Sequence, residues 1–367
     1  MTKKLRNGYT TGTCAAAGVK AALLALQGKC PLIVDIMSMQ NEKIEVPVKA
    51  VNLTALGAKA EIIKDSGDDP DITNGVSVFT EVHIYKDSSV IFFKAGEGIG
   101  IVTKPGLSVL PGEPAINPGP RELIRKVVRD LLGNDHGCEV TISIPAGIEL
   151  AKRTLNPTLG IEGGLSVIGT TGIVRPMSEE GFKNSLVPQI SVAKAAGFAS
   201  IVFVPGKIGE KIAVEKCYLP KEAIVQTSNF IGHMLEAASE MNINNVLLFG
   251  HIGKLVKVAA GIFYTHNRIA DARLETLAAY AGSLGMPTEG IRQILSSSTT
   301  EAVLPIIEQY GLQEIYHILA ARASLRAERY VFNDLHVGTV LVTLRGDIIG
   351  MDDNAKRIGS ELKWNIK

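Results

Sequence analysis

Sulfur and aromatic side chains are scarce in this sequence, and neither sign of charge prevails. Among 367 residues there are four Cys and one Trp, and Phe, Tyr and Trp together make up 5%. The cysteines, Cys14, Cys30, Cys138 and Cys217, form no Cys-x-x-Cys pair and have no His at zinc spacing. That argues against a zinc site and against a disulfide framework, and no protein-bound metal is expected. Long apolar runs are missing too. The longest, about residues 15–26, contains Lys20 and is too short to span a bilayer. The opening Met1-Thr-Lys-Lys-Leu-Arg6 is too short and too polar for a signal peptide, so a reducing cytoplasm is the expected setting. With 38 Lys and Arg against 37 Asp and Glu, nothing calls for nucleic acid or an anionic membrane as partner. A local basic pocket for a small anion stays compatible with that balance.

What is present is enough apolar material for packed cores. Hydrophobic residues make up 46% and charged residues 20%. The length suggests more than one core. A helix is expected over residues 13–27, capped by Thr11 or Thr13 and ended by Gly28. β-branched and alternating stretches follow at 32–37, 43–48, 53–63, 76–85 and 90–94. The last two read as a hairpin turned by Lys86-Asp-Ser-Ser89. After a Gly/Pro-rich loop at 96–120 comes an amphipathic helix at 121–132, then a strand at 138–144. Residues 1–155 therefore read as an α+β domain with a mostly antiparallel layer.

The rhythm then changes. Short apolar strands at 165–168, 200–204 and 245–249 alternate with helices at 178–196 and 221–241 and with one opening at Lys254. That is the pattern of a doubly wound, Rossmann-like α/β domain over residues 156–335. Residues 336–367 read as a C-terminal β-hairpin and tail.

Two glycine loops follow expected parallel strands: Gly169-Thr170-Thr171-Gly172 and Gly250-His251-Ile252-Gly253. Such loops let backbone N–H groups approach a ligand at the positive end of the next helix. Neither is Gly-x-Gly-x-x-Gly, and Leu255 stands where a P-loop needs Ser or Thr, which disfavours a nucleotide triphosphatase. Lys64-Asp-Ser-Gly-Asp-Asp-Pro-Asp71 packs four carboxylates into eight residues without the terminal Glu of a calcium loop. It is either a solvated turn or a ligand contact through Asp68 and Asp69, with Asp65 a candidate base. His251 and His266 lie near Lys254, Arg268 and Asp271; they are candidates for proton transfer or for structural histidines. No nucleophile elbow points to a hydrolase triad. In Gly8-Tyr-Thr-Thr-Gly-Thr-Cys14, the hydroxyls of Thr10, Thr11 and Thr13 sit where a helix begins, a setting suited to a carboxylate. Cys14 falls in the first turn, where a helix dipole lowers a thiol pKa; the plainer reading is a buried small side chain.

Together these segments resemble the CbiD family. The resemblance rests on Gly8-Tyr-Thr-Thr-Gly-Thr-Cys14 with its following alanines, the acidic turn at 64–71, Asn117-Pro-Gly-Pro-Arg121 and Asn156-Pro-Thr-Leu-Gly160. It rests also on Leu165-Ser-Val-Ile-Gly-Thr-Thr-Gly-Ile173, Phe249-Gly-His-Ile-Gly-Lys254 and Thr265-His-Asn-Arg-Ile-Ala-Asp271. All occur in the family's order and span most of the chain. Gly18 within the alanine stretch and Arg175, where an acidic residue is expected, depart from it. The resemblance implies methylation of ring carbon C1 of cobalt-precorrin-5B in anaerobic cobalamin synthesis, with S-adenosyl-L-methionine as methyl donor. It also implies two domains, one α+β and one Rossmann-like.

On that footing the donor is expected against Gly169, Thr170, Thr171, Gly172, Gly250 and Gly253. Substrate contacts are expected from Thr10, Thr11, Thr13, Asp68, Asp69, Lys254 and Arg268, and proton handling from His251, His266 or Asp65. The cobalt travels with the tetrapyrrole, and homo-oligomerisation is the one other partnership expected. Two rivals are a nicotinamide-dependent oxidoreductase, which the missing Gly-x-Gly-x-x-Gly opposes, and a non-catalytic corrinoid carrier, which would not need a second ligand loop.

Overall fold

A computed structural model describes residues 5–85 and 87–364. The chain divides into two compact units, Met1–Glu179 and Glu180–Lys367. The fold is mixed α/β: one sheet is mostly antiparallel, the other largely parallel.

The first unit is built around helix α1 (Thr11–Leu26), nearly all of which is buried. Its Ala-rich face lets the backbone lie close to the sheet, and a helix buried all round needs no polar stripe. That sheet holds β3 (Ala50–Leu53), β4 (Ala58–Ile63), β5 (Ser77–Tyr85), β7 (Gly137–Ser143) and β6 (Ile91–Ala95), in that spatial order. A separate hairpin joins β1 (Ile33–Met37) to β2 (Lys43–Pro47). The strands β4, β5 and β7 alternate buried and half-buried residues, and the inward set includes Ile62, Val82, Val140 and Ile142, all fully buried. Helix α2 (Pro118–Leu132) covers the same core with Leu123, Ile124, Val127 and Val128.

The expected hairpin of residues 76–85 with 90–94 is not formed. β5 pairs antiparallel with β7, and β6 pairs with the other edge of β7 in parallel. The pattern of each strand was visible, but a late strand inserts between them, and nothing local encodes that. Lys86, from the expected turn, lies outside the described residues. Gly18 gains a reason here: a Cβ at this position would lie 2.6 Å from the Thr80 hydroxyl oxygen on β5. The break in the alanine run marks where helix and sheet come closest.

In the second unit, β9 (Ile224–Gln226), β8 (Ser200–Val204), β10 (Asn245–His251) and β11 (His336–Val342) are parallel neighbours, and β12 (Ile348–Met351) closes the edge antiparallel to β11. Every residue of β8 is buried, as expected for a strand covered on both faces. Helices include α3 (Pro188–Ala195), α4 (Lys207–Glu215), α5 (Ile231–Glu240), α6 (Ile252–Ala259), α7 (Arg273–Ser283), α8 (Thr288–Ser296), α9 (Thr300–Gln309), α10 (Ile315–Tyr330) and α11 (Asp353–Glu361).

Three expectations need correction. Residues 165–168 form no strand of the parallel sheet; Leu165 and Val167 make isolated bridges to Ile99 and Ile116, all within the first unit. The single helix expected over 221–241 is a short 3-10 turn, then β9, then α5, because Ile224-Val225-Gln226 can fill the sheet edge. Residues 250–253 are not a loop: Gly250 and His251 end β10, and α6 begins at Ile252.

Replacing Gly18 with Val should push α1 away from Thr80. A loss of about 1–3 kcal/mol is expected, read as a lower urea midpoint. An unchanged midpoint would contradict the close approach.

Candidate functional site

In the first unit the described geometry gathers motifs that are far apart in sequence. Thr10 caps α1, its hydroxyl oxygen accepting the Thr13 N–H at 3.2 Å. The Thr10 N–H donates to the Gly172 carbonyl at 3.0 Å, and the Thr13 hydroxyl donates to the same carbonyl at 2.7 Å. The Thr11 hydroxyl takes the Ile168 N–H at 3.0 Å, and the Gly12 N–H reaches the Ile168 carbonyl at 3.0 Å. Residues Gly8 and Tyr9 pair antiparallel with Val174 and Ile173. Gly169, at φ +142°, leaves no room for a side chain: a Cβ would lie 2.2 Å from the Thr10 hydroxyl oxygen. Thr11 and Thr13 are buried, whereas Thr10 is half-buried and Thr170 exposed. Thr171 is spent on its own turn, accepting the Ile173 N–H at 3.3 Å.

The acidic turn lies directly against this cluster. The Tyr9 N–H donates to the Asp65 carbonyl at 2.9 Å and the Tyr9 hydroxyl to the Ile63 carbonyl at 2.9 Å. Each carboxylate is engaged within the unit. Asp65 takes both arms of the Arg6 guanidinium, at 2.5 and 2.8 Å. Asp68 accepts the Arg6 N–H at 2.7 Å, and Asp69 the Met177 N–H at 2.8 Å. Asp71 meets the ammonium of Lys64 at 3.1 Å, and Lys64 is only 1% exposed. The Arg6 guanidinium holds the Asp65 carboxyl below its ordinary range, so it is a weak base at neutral pH. Burial would raise the Asp71 carboxyl, but the Thr73 N–H, the Lys64 charge and the Thr73 hydroxyl outweigh it and leave it lowered. Cys14 is fully buried, and burial pushes its thiol up to about 12. Desolvation thus outweighs the help of the helix start, which favours the plainer reading of Cys14 as a small buried side chain.

The second unit presents a different arrangement at the carboxyl ends of β8 and β10. These two strands start neighbouring connections that run in opposite directions, since β9 lies outside β8 and β11 outside β10. A Cβ on Gly250 would lie 2.9 Å from the Pro205 ring. Beside it, Gly206 precedes α4 with extended backbone, no side-chain cap on that helix and open space where a Cβ would point. His251 caps α6: its Nδ1 accepts the Gly253 N–H at 3.1 Å, so the neutral ring carries its proton on Nε2, 2.8 Å from the Glu301 carboxylate. Glu301 also accepts the Leu344 N–H at 2.9 Å.

On α6 itself, Lys257 is fully buried and donates to the Thr265 carbonyl at 3.1 Å, the Asn267 side chain at 2.7 Å and the Ala270 carbonyl at 2.8 Å. Lys254 donates to the Asn229 side chain at 2.7 Å. Burial lowers both ammonium pKa values; for Lys254 the nearby charges of Lys257 and Arg273 lower it further. His266 accepts the Arg268 N–H on Nδ1 at 3.1 Å, which leaves its protonated Nε2 with no hydrogen bond among the described residues. Arg268 is exposed. Asp271 is held by Arg273 at 2.6 and 2.7 Å. Among the described residues no group of three or more His, Cys, Asp or Glu side chains could hold a metal ion. No helix of the described residues is long and apolar enough to cross a membrane.

The CbiD family model matches residues 1–176, and the model of the CbiD C-terminal domain matches residues 264–353. A protein of Moorella thermoacetica named cobalt-precorrin-5B C(1)-methyltransferase is 53% identical over 360 residues, covering 98% of each chain. One of the same name from Methanocaldococcus jannaschii is 47% identical over 351 residues, covering 95% of this chain and 96% of that one. This chain belongs to the CbiD family. A crystal structure of the cobalamin biosynthesis protein (cbiD) from Archaeoglobus fulgidus is 27% identical, covers 76% of this chain and 85% of that one, and has a TM-score of 0.39.

Within this CbiD chain, Thr10, Thr11, Thr13, Gly169, Thr170, Thr171 and Gly172 are thus one cluster, with Asp65, Asp68 and Asp69 against it. Gly250, His251, Gly253 and Lys254 form a second cluster at the end of β10, with His266 and Arg268 on the segment that Lys257 holds. The sequence reading missed Pro205-Gly206, Asn229 and Lys257. The first is a Pro-Gly pair directly after an expected strand and was available as a signal. A buried Lys has none, because one Lys in an apolar helix reads like a solvated one.

The Asp71 carboxyl gives a pH test. Its folded pKa lies below the ordinary value of 3.8, so its contribution is present above that value and lost as pH falls through the folded pKa. Asp71→Asn should cost roughly 3 kcal/mol at pH 7, because it strips a buried ammonium of its carboxylate. The variant should also lose less stability than the parent as pH is lowered from about 5 to about 2. Parallel acid profiles in urea melts would remove this role.

Proposed function

We propose that this chain is a cobalt-precorrin-5B C(1)-methyltransferase acting in cobalamin biosynthesis with S-adenosylmethionine as donor. The observation that carries the reading is its near full-length similarity to proteins of that name. The donor supplies an electrophilic methyl group on a sulfonium. The protein's task is then mainly alignment: to hold two ligands so that the methyl carbon faces the acceptor ring carbon.

We read the second unit as a Rossmann-like derivative and place the donor at the carboxyl ends of β8 and β10. Gly250 lets the Pro205 ring pack against the end of β10, and the uncapped start of α4 after Gly206 offers free N–H groups to a carboxylate or ribose. Gly253, packed under His251, shapes the same end. The macrocycle is assigned to the first unit, with the exposed Thr170 hydroxyl and the half-buried Thr10 hydroxyl as its contacts. Residues 169–172 move with it in this reading, since they are fastened to the cap of α1 and not to the parallel sheet. Asp65, Asp68 and Asp69 are read as holding that surface in shape.

The new ring–methyl bond would form from an electron pair of the macrocycle as the donor's carbon–sulfur bond breaks and S-adenosylhomocysteine leaves with that bond's electron pair; the macrocycle gains positive charge that loss of a proton relieves. His266 suits that proton better than His251. Both nitrogens of His251 are engaged by its own unit, whereas His266 presents Nε2 and sits beside Tyr264, with ring centroids 6.4 Å apart. Lys254 and Arg268, on the same unit as His266, are read as groups for an anionic ligand. Four free cysteines fit a cytoplasmic setting.

Incubation with cobalt-precorrin-5B and methyl-labelled donor tests the activity: label should enter the macrocycle, whereas pigment binding without label would make the chain a carrier. Gly250→Leu should abolish binding of S-adenosylhomocysteine by calorimetry, and unchanged affinity would remove the donor placement. His266→Gln should lower kcat about 100-fold or more with donor affinity kept, while His251→Gln should lower the melting temperature; the reverse pattern would exchange their roles.

A further inference from the structure

The first unit holds a cavity of about 420 Å³ that the roles above do not use. Its walls are the β1–β2 turn, through Ser38 and Asn41, and one face of α2, through Glu122, Arg125, Lys126 and Arg129. These α2 positions follow helical spacing and lie opposite the buried stripe of Leu123, Ile124, Val127 and Val128. A solvated helix face would look the same in sequence. What differs here is the turn that folds over it. Ser38, 1% exposed, fixes that turn by accepting the Gln40 and Glu42 N–H groups, and Asn41 takes φ +60°.

The charges on this wall are unbalanced. Arg125 meets Glu122 at 3.6 Å, both at exposed positions where such pairs contribute little. Arg129 is held by the carbonyls of Gly133, Asn134, His136 and Ser89. Among the described residues no carboxylate lies within ion-pair distance of Lys126 or Arg129. Three cations therefore face one carboxylate around a concavity of ligand size. Ser38 also packs against the motif cluster: a Cβ on Gly172 would lie 3.0 Å from the Thr13 hydroxyl oxygen and 3.7 Å from the Ser38 Cβ.

We propose that this cavity is a carboxylate subsite in which Arg125 and Lys126, with Arg129 behind them, receive acetate or propionate arms of the tetrapyrrole. The inference rests on the substrate reading above. It fits a polycarboxylate better than the single carboxylate of the donor, because several cations line one space and guanidinium and ammonium groups bind carboxylates in forked or point-charge fashion.

The test uses the full chain and absorbance titration with cobalt uroporphyrin, an octacarboxylate, against cobalt mesoporphyrin, a dicarboxylate. The octacarboxylate should bind more tightly, with an affinity that falls as salt rises. The double variant Arg125→Glu/Lys126→Glu should weaken it at least about tenfold and flatten the salt dependence. In turnover KM for cobalt-precorrin-5B should rise with kcat retained, the mark of uniform binding. S-adenosylhomocysteine affinity should be unchanged, and Lys152→Glu on the same unit should change nothing. Because both side chains are exposed, folding should survive; the milder Arg125→Gln/Lys126→Gln variant, with its melting temperature, checks this. Unchanged octacarboxylate affinity in the folded variants overturns the subsite, as does a loss confined to S-adenosylhomocysteine. A parent chain that transfers no label yet binds the octacarboxylate in this charge-dependent way would fail the activity and keep the subsite.

Discussion

The first unit depends on the Gly172 carbonyl, which accepts from both the Thr10 N–H and the Thr13 hydroxyl. Those two bonds join the start of α1 to a segment more than 150 residues later. A single neutral hydrogen bond contributes on the order of 1 kcal/mol net, but leaving a buried hydroxyl and carbonyl unpaired costs more. The geometry is therefore over-determined: Thr11 fastens the Ile168 backbone in the same way, and a side chain at Gly169 would strike Thr10. Residues 165–174, which by rhythm belong with the parallel sheet, are captured by the first unit through these contacts.

The acidic turn is the complement of that latch. Four carboxylates in eight residues look like an invitation to a cation, yet each already has a partner: Arg6, backbone N–H groups, Thr73 or the ammonium of Lys64. Burying Lys64 would be costly without Asp71, and Asp71 is kept ionised by the same contacts. A dense local charge pattern thus reports a folded clip that presses Tyr9 and Gly8 into place.

Much of the fold was legible where the cause is local. Most period-2 stretches became strands, with 53–63 split into the end of β3, a turn and β4; the amphipathic pattern of 121–132 became most of α2, and the apolar run of 200–204 became a central strand. What was not legible is decided at a distance. β7 inserts between β5 and β6 because pairing partners are chosen in space. Residues 224–226 leave a helical pattern because a sheet edge is there to fill. The candidate site was legible as motifs, but their grouping was not. The two glycine segments look alike in sequence, yet one is a latch on α1 and the other a strand running straight into a helix whose N-cap is His251. Lys257, fully buried and holding three acceptors, could not be told from a surface lysine.

These findings bear on what a family signature means. The glycine at position 169 and the threonines at 11 and 13 are demanded by close contact inside the unit: a Cβ would collide, or a buried carbonyl would go unpaired. Their chemistry is consumed by the fold, so the signature is strong evidence of kinship and weaker evidence of ligand contact at those atoms. Ligand recognition has to come from polar groups the fold leaves over. Under the proposed function, the candidates in the first unit are the exposed Thr170 hydroxyl and the α2 cations, of which only Arg125 meets a carboxylate among the described residues; in the second they are the uncapped start of α4 and the Nε2 side of His266. None of these stands out in sequence, because an exposed Thr, an Arg on a helix face or a Gly before a helix is common. Unspent hydrogen bonds and unbalanced charge set them apart, and both become visible only once every other donor and acceptor around them has been assigned.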